Sequence, residues 1–296
     1  MADRLIPPGS TETFLALDGG QVRVLRSTAK PSDRSRRTLL ALHGGSTDNT
    51  AISWYQTFAA MGAERPVIGF DLPGFGATTG LEPLGGPAAM ADFVARAADR
   101  LGIERAVVAG VSMGGDVALN AALRHRDLVE ALVLIAPGGL VPRFHGRLIQ
   151  RSAWLAARLP DPLLLPLTRL ANRFVKTAVR AVLNDPDALP QPVLAEFVRE
   201  ARRPDAALGY LRYNQATLGP RSMRNNLLPV VSRITVPTLF FHGQNDPIVD
   251  PAGSRQACER MPHAELVMVP DCGHWAQLEA GDRFFAELRR FLAPMA

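Results

Sequence analysis

The chain has 296 residues, 47% of them hydrophobic and 21% charged, with a formal net charge of +5. This composition predicts an ordinary soluble globular protein, long enough to bury a core without staples. Two cysteines, Cys258 and Cys272, exclude a disulfide framework and a four-thiolate metal site, and predict a reducing, cytoplasmic setting.

No lysine/arginine run reaches five residues and no aromatic residues interleave with basic ones, which argues against a nucleic-acid partner. The N-terminal ten residues carry no apolar signal segment. The leucine-rich stretch 159–167 is interrupted by Pro160, Pro162 and Pro166, and no window is apolar enough for a membrane span. The expected partner is a small-molecule substrate, and homo-oligomerisation is left open.

Residues 13–17 and 21–25, separated by Asp18-Gly19-Gly20, read as a β-hairpin, since these turn residues accept positive φ. Segments 38–43, 66–71, 106–111 and 131–136 are short and almost wholly apolar. Strands buried on both faces of a mostly parallel sheet have this composition. Helical patterns at 88–101 and 113–124 lie between them, and such alternation is the signature of an α/β fold. The rhythm stops after Pro137. Residues 138–232 contain no clear strand, are rich in Leu, Ala and Arg, and use proline as helix punctuation. They hold 13 Arg and 1 Lys against 6 acids, a net of +8, which leaves −3 for the rest of the chain. This segment reads as a helical insertion, flanked by core segments 1–137 and 233–296. Strands resume at 237–242 and 265–269, and an amphipathic helix at 284–292 ends the fold.

Gly110-Val111-Ser112-Met113-Gly114 follows a buried strand and opens a helix. That is the setting in which a Gly-x-Ser-x-Gly turn projects its serine as a nucleophile. The serine needs a base and the base an orienting acid. Of six histidines, His43 and His242 end strands before glycine and read as loop braces, while His125, His145 and His263 have no pattern around them. His274 follows the last strand, and its loop reaches the same sheet edge as Ser112. Asp246, in Gly243-Gln244-Asn245-Asp246, follows the preceding strand and is the expected acid, with Asp250 as its rival. Acyl chemistry also needs oxyanion donors. The N–H of Met113 at the helix start and that of Gly45 in His43-Gly44-Gly45-Ser46 fit, with Ser46 as a further contact. Trp275, beside the base, either lines the pocket or anchors its loop.

These blocks, with Asp71-Leu72-Pro73-Gly74-Phe75-Gly76 and Gly273-His274, resemble the α/β-hydrolase superfamily over nearly the full length. The resemblance implies a mostly parallel, eight-stranded sheet flanked by helices, with a helical cap inserted after the sixth strand. It makes Asp71 a turn residue and implies a cofactor-free serine hydrolase with Ser112, His274 and Asp246 as its triad, and the histidines and acids lack the spacing of metal ligands. Epoxide and haloalkane hydrolysis is disfavoured, because those relatives carry aspartate at position 112. Cys272-Gly273-His274-Trp275-Ala276-Gln277 is similar to the meta-cleavage-product hydrolases, which cut a carbon–carbon bond in ring-opened dienoates. That group holds its substrate carboxylate with an arginine of the cap, for which Arg199, Arg202 and Arg203 are candidates. The basic insertion serves either anionic substrates or solvent. An acyltransferase using the same residues, and a binding module that keeps the pocket, are the alternatives to a hydrolase of esters or carbon–carbon bonds.

Overall fold

The computed structural model describes residues 4–295 apart from 32, 34, 35, 145 and 207. Eight strands form one sheet: β1 (Ser10–Leu17), β2 (Gly20–Ser27), β3 (Thr38–Leu42), β4 (Val67–Phe70), β5 (Ala106–Val111), β6 (Val129–Ile135), β7 (Thr238–Gly243) and β8 (Ala264–Val269). Their spatial order is β1-β2-β4-β3-β5-β6-β7-β8. β2 runs antiparallel to both β1 and β4, and every pairing from β4 to β8 is parallel. The hairpin turns on Asp18 and Gly19, with φ of 50° and 86°. Two positive φ values in a two-residue loop match the twist of the flanking strands.

Residues of the central strands alternate between two cores. Leu40, Leu42, Val108, Leu134 and Phe240 pack on one face of the sheet with Phe93, Val94 and Val117. Leu39, Ala41, Val107, Val133 and Phe241 pack on the other with Trp54, Phe58, Phe284 and Leu288. A strand covered on both faces has no polar side, which accounts for the unbroken apolar runs. The covering helices are α1 (Thr50–Ser53), α2 (Thr57–Met61), α3 (Pro87–Arg100) and α4 (Met113–Arg124).

Between β6 and β7 the described residues form five α-helices: α5 (Arg147–Ala156), α6 (Asp161–Asn172), α7 (Val175–Ala181), α8 (Gln191–Ala201) and α9 (Leu208–Thr217). Pro160 and Pro162 sit at the start of α6, where a missing N–H is tolerated. Pro166 departs from the punctuation reading, because α6 runs through it. The bond it forgoes would have gone to the carbonyl of residue 162. Buried Gln150 accepts from Phe144 N–H and donates to the Gly219 carbonyl, both at 2.7 Å, pinning α5 to the end of the insertion. After β7 follow α10 (Pro251–Arg260), α11 (Ala276–Glu279) and α12 (Gly281–Leu292).

Candidate active site

The chain passes from β5 into α4 through Ser112, whose φ and ψ are 52° and −113°. A non-glycine residue held there costs about 1–3 kcal/mol, which the surroundings must impose. They do so through contact. A Cβ on Gly110 would lie 2.2 Å from the Gly114 carbonyl oxygen, and one on Gly114 would lie 2.4 Å from that of Leu42. Ser112 N–H donates to Ile135 O at 2.9 Å, and its carbonyl accepts from Gly138 N–H at 2.8 Å, fixing the turn to the end of β6. The N–H of Met113 opens α4 and points where the helix carries partial positive charge.

His274 lies in the loop after β8. Its backbone N–H donates to Val182 O at 2.9 Å, just beyond α7, so the insertion helps to seat it. Its Nδ1 is 2.7 Å from Asp246 Oδ2. Asp246 Oδ1 accepts from Ile248 N–H at 2.7 Å and Val249 N–H at 3.0 Å. Burial alone would raise the pKa of Asp246, but His274 and His242 outweigh it and hold the carboxyl well below its usual range. Asp250 stands apart, exposed and capping α10 through Ala252 N–H.

Two partners were not legible in the sequence. His242 Nε2 lies 3.2 Å from Asp246 Oδ2 and 3.1 Å from the Val249 carbonyl, while Nδ1 meets Ser254 Oγ at 2.8 Å. Both neighbours of Nε2 are acceptors, so that nitrogen carries the proton and His242 orients the acid as well as bracing its loop. Buried Asp48 accepts from Gly44 N–H at 3.0 Å and Ser53 Oγ at 2.6 Å, and Trp275 Nε1 approaches it at 3.4 Å. It thereby joins the Gly44-Gly45 loop to the residue beside His274. Burial raises its pKa, against the opposing pull of His43. Neither contact has a signal in the sequence beyond a histidine and an aspartate near glycine.

Ser112, His274, Gly45, Ser46 and Trp275 all line one cavity of about 240 Å³. A second cavity of about 360 Å³ is lined by Ser112, Met113, Gly139, Ala156, Leu164 and Tyr213, among others. Ser112, Tyr210 and Ile248 border both, so Ser112 sits at the junction of two lobes. Among the described residues, no arginine or lysine lines either lobe, and the N–H groups of Gly45 and Met113 have no intramolecular acceptor. Trp275 both lines the first lobe and packs edge-on against His274 and Phe197.

Arg199 is brought elsewhere. Its guanidinium binds Glu196 through two hydrogen bonds, at 2.6 and 2.7 Å, and also pairs with Glu200. Glu196 in turn accepts from Asn49 Nδ2 at 3.0 Å, so this network ties α8 to the core. Arg203 pairs with Glu200 and Asp205, and Arg202 is exposed. His43 bridges Gly44 O and Leu72 N–H, His125 pairs with Asp92, His263 is exposed, and His145 lies outside the described residues. Asp71 accepts from the N–H groups of Thr50 and Ala77, as a turn residue does.

One turn into α4, buried Asp116 accepts from Tyr213 Oη at 2.8 Å, Asn120 Nδ2 at 3.0 Å and Asn225 Nδ2. Burial outweighs these three donors and pushes its pKa up to about 7.

A family model described as alpha/beta hydrolase fold matches residues 37–281. The dihydrolipoyllysine-residue acetyltransferase component of the acetoin cleaving system of Pseudomonas putida is 30% identical over 86% of this chain and 63% of its own length. A 2-hydroxy-6-oxononadienedioate/2-hydroxy-6-oxononatrienedioate hydrolase of Comamonas testosteroni is 32% identical over 66% of this chain and 65% of its own. The chain thus spans just under two thirds of both relatives. A serine hydrolase from Cycloclasticus zankles superposes with a TM-score of 0.76 at 19% identity, covering 97% of this chain and 99% of that one, which speaks to the fold. The sheet order, the helical layers and the family match agree: this chain belongs to the α/β-hydrolase fold family.

Proposed function

We propose that the chain is a serine hydrolase of uncharged carboxylic esters, with Ser112 as nucleophile, His274 as base and Asp246 as orienting acid. The observation that carries this reading is a strained serine at the junction of two cavities, one of which also holds a histidine bonded to a buried aspartate. His274 takes the proton of Ser112 Oγ through Nε2 as the oxygen attacks the ester carbonyl. Asp246 accepts from Nδ1–H, which fixes the tautomer and stabilises the imidazolium. The N–H groups of Gly45 and Met113 bind the oxyanion, and His274 then returns its proton to the leaving alcohol. Water, activated by His274, releases the acid and restores Ser112. No step calls for a cofactor.

The absence of Arg and Lys from both lobes among the described residues selects the ester over the second reading, cleavage of a carbon–carbon bond in a dienoate. That reading comes from the Cys272–Gln277 motif and a named relative, and a dienoate's carboxylate calls for a cation in the site. A fluorophosphonate probe tests the chemistry: wild type labels and Ser112→Ala does not. A panel of neutral esters beside a ring-fission dienoate tests the substrate, with esters expected to turn over at least a hundredfold faster. A faster dienoate would overturn the ester assignment and leave Ser112 in place. Product mass spectra with an added alcohol or thiol acceptor separate hydrolysis from acyl transfer.

A further inference from the structure

The outer surface of α5 and α6 is apolar and basic at once. Eight of the twelve exposed large hydrophobic side chains among the described residues fall between residues 148 and 174. Leu163, Leu167 and Leu170 recur at spacings of 4 and 3 along α6, which puts them on one helical face, and Phe174 follows just beyond its end. They are 51–65% exposed, and Leu148 on α5 is 84% exposed. Scattered exposed leucines are normal, but a contiguous stripe marks an interaction surface.

Arginines rim this stripe. Residues 143–180 hold seven Arg and one Lys against a single acid, Asp161, which pairs with Arg212. One groove, on the α5 side, is lined by Arg143, Arg147, Arg151 and Arg221. Another, beside α6 and α8, is lined by Arg169, Arg173, Lys176, Arg202 and Arg203. Among the described residues, none of the eight cations between 143 and 180 forms a salt bridge.

We infer that the outer face of α5 and α6 docks on an anionic lipid bilayer, with the leucine stripe at acyl-chain depth and the flanking arginines on headgroup phosphates. A second copy of this chain fits poorly, because a self-complementary contact would bring the two basic rims together. A purely acidic surface leaves the leucines uncovered. A bilayer interface offers apolar and anionic matter in one plane, and basic amphipathic helices lie in it. No described helix is long and apolar enough to cross a membrane, so the attachment is interfacial. The same helices place Ala153, Ala156 and Leu164 against the second lobe, so the docked face is the outside of a pocket wall. The inference does not depend on the role of Ser112.

The experiment is co-sedimentation of the full chain with equimolar phosphatidylglycerol/phosphatidylcholine vesicles and with phosphatidylcholine vesicles alone. Partition should favour the anionic vesicles at least tenfold and weaken with salt. Leu163→Ser, Leu167→Ser and Leu170→Ser combined should lose at least tenfold. So should Arg147→Gln, Arg151→Gln, Arg169→Gln and Arg173→Gln combined. Both variants should keep wild-type melting and wild-type turnover of a water-soluble ester. In the wild type, lipids brominated on their acyl chains should quench the part of the tryptophan emission that comes from Trp154 on α5, since Trp54 and Trp275 are buried. Failure of the wild type to partition, unquenched Trp154, or a leucine variant that binds as well as wild type would overturn the inference. So would a wild-type dimer abolished by the leucine substitutions, which would assign the face to a second copy.

Discussion

The central sheet and the segment inserted after β6 differ in charge, in burial and in their use of proline. β5 and β7 are buried at every residue. In α5 only Gln150 is buried, and in α6 only Leu164. The insertion carries +8 while the rest of the chain carries −3. The two regions meet at the cavities, where the core supplies Ser112 and His274 and the insertion supplies Val179, Phe197 and Tyr210. The contrast suggests a division of labour. The proposed reacting groups sit on loops that follow buried strands, and the insertion shapes the pocket walls and presents the chain's most unusual surface. Substitutions in the core loops should therefore act on kcat, and substitutions in the insertion on stability, selectivity or attachment.

The largest effect should come from the core. Ser112→Ala should remove activity by on the order of 10⁶ in kcat, the loss seen when subtilisin loses its nucleophile. Melting should stay within a few degrees of wild type or rise, because alanine removes no core contact. More than a few per cent of residual turnover would exclude Ser112 as nucleophile. Asp246→Asn should cost about 10⁴ in kcat, by analogy with the trypsin aspartate, because an amide favours the wrong histidine tautomer. Asp250→Asn is the control, since asparagine caps a helix as well as aspartate does. A greater loss in the control would move the acid to Asp250.

What could be read from the sequence follows the same division. β5 and α4 span the predicted 106–111 and 113–124, because a two-sided buried strand and a Gly-x-Ser-x-Gly turn are local patterns. The hairpin is longer than predicted, 10–17 and 20–27, because its outer residues pair in register although they are polar and give no apolar alternation. His242 and Asp48 carry no signal as site residues in the sequence, because the contacts that tie them to the site, Asp246 to His274 and Asp48 to Trp275, join different loops. Arg199 is one of three arginines that the resemblance offers for a substrate carboxylate. Two glutamates, at spacings of three and one along the same helix, satisfy it instead.

Arg199→Ala tests that last point from the side of the insertion. It would leave Glu196 and Glu200 buried without their shared cation. Breaking a buried pair costs about 3–5 kcal/mol, and the partial exposure of Arg199 lowers this to roughly 2–3 kcal/mol. The expected outcome is a lower melting temperature with KM for neutral esters changed less than twofold. Unchanged melting with KM raised for anionic substrates alone would return Arg199 to substrate binding. His242→Phe should act on the core alone, lowering kcat about tenfold with KM unchanged. That is the value of one hydrogen bond to a charged group, about 1.5 kcal/mol. An equal loss of stability and no loss of kcat would reduce His242 to a loop brace.

The smallest effect joins the two regions, since Asp116 lies on α4 of the core while Tyr213 and Asn225 come from the insertion. Its folded pKa of about 7 lies above the ordinary 3.8, so the folded state holds this proton more tightly than the unfolded chain. The sign follows from that difference. The stability it contributes is fully present below about pH 4 and is lost as pH rises towards 7. Asp246 acts in the opposite sense and in another window: its contribution is present above pH 3.8 and is lost as acid protonates it below that. Between pH 4 and 7, the difference between wild type and Asp116→Asn therefore reports Asp116. The variant should show a flatter stability profile, with a curve that crosses the wild-type one. At pH 5 it should be the less stable, because its amide turns an N–H towards one of three donors. At pH 8 it should gain about 1 kcal/mol on wild type, the relief of a buried charge offset by that misplaced donor. Denaturant melts at both pH values would measure the crossing. Parallel profiles would mean that Asp116 keeps an ordinary carboxyl, and that the insertion closes over the core without holding its proton.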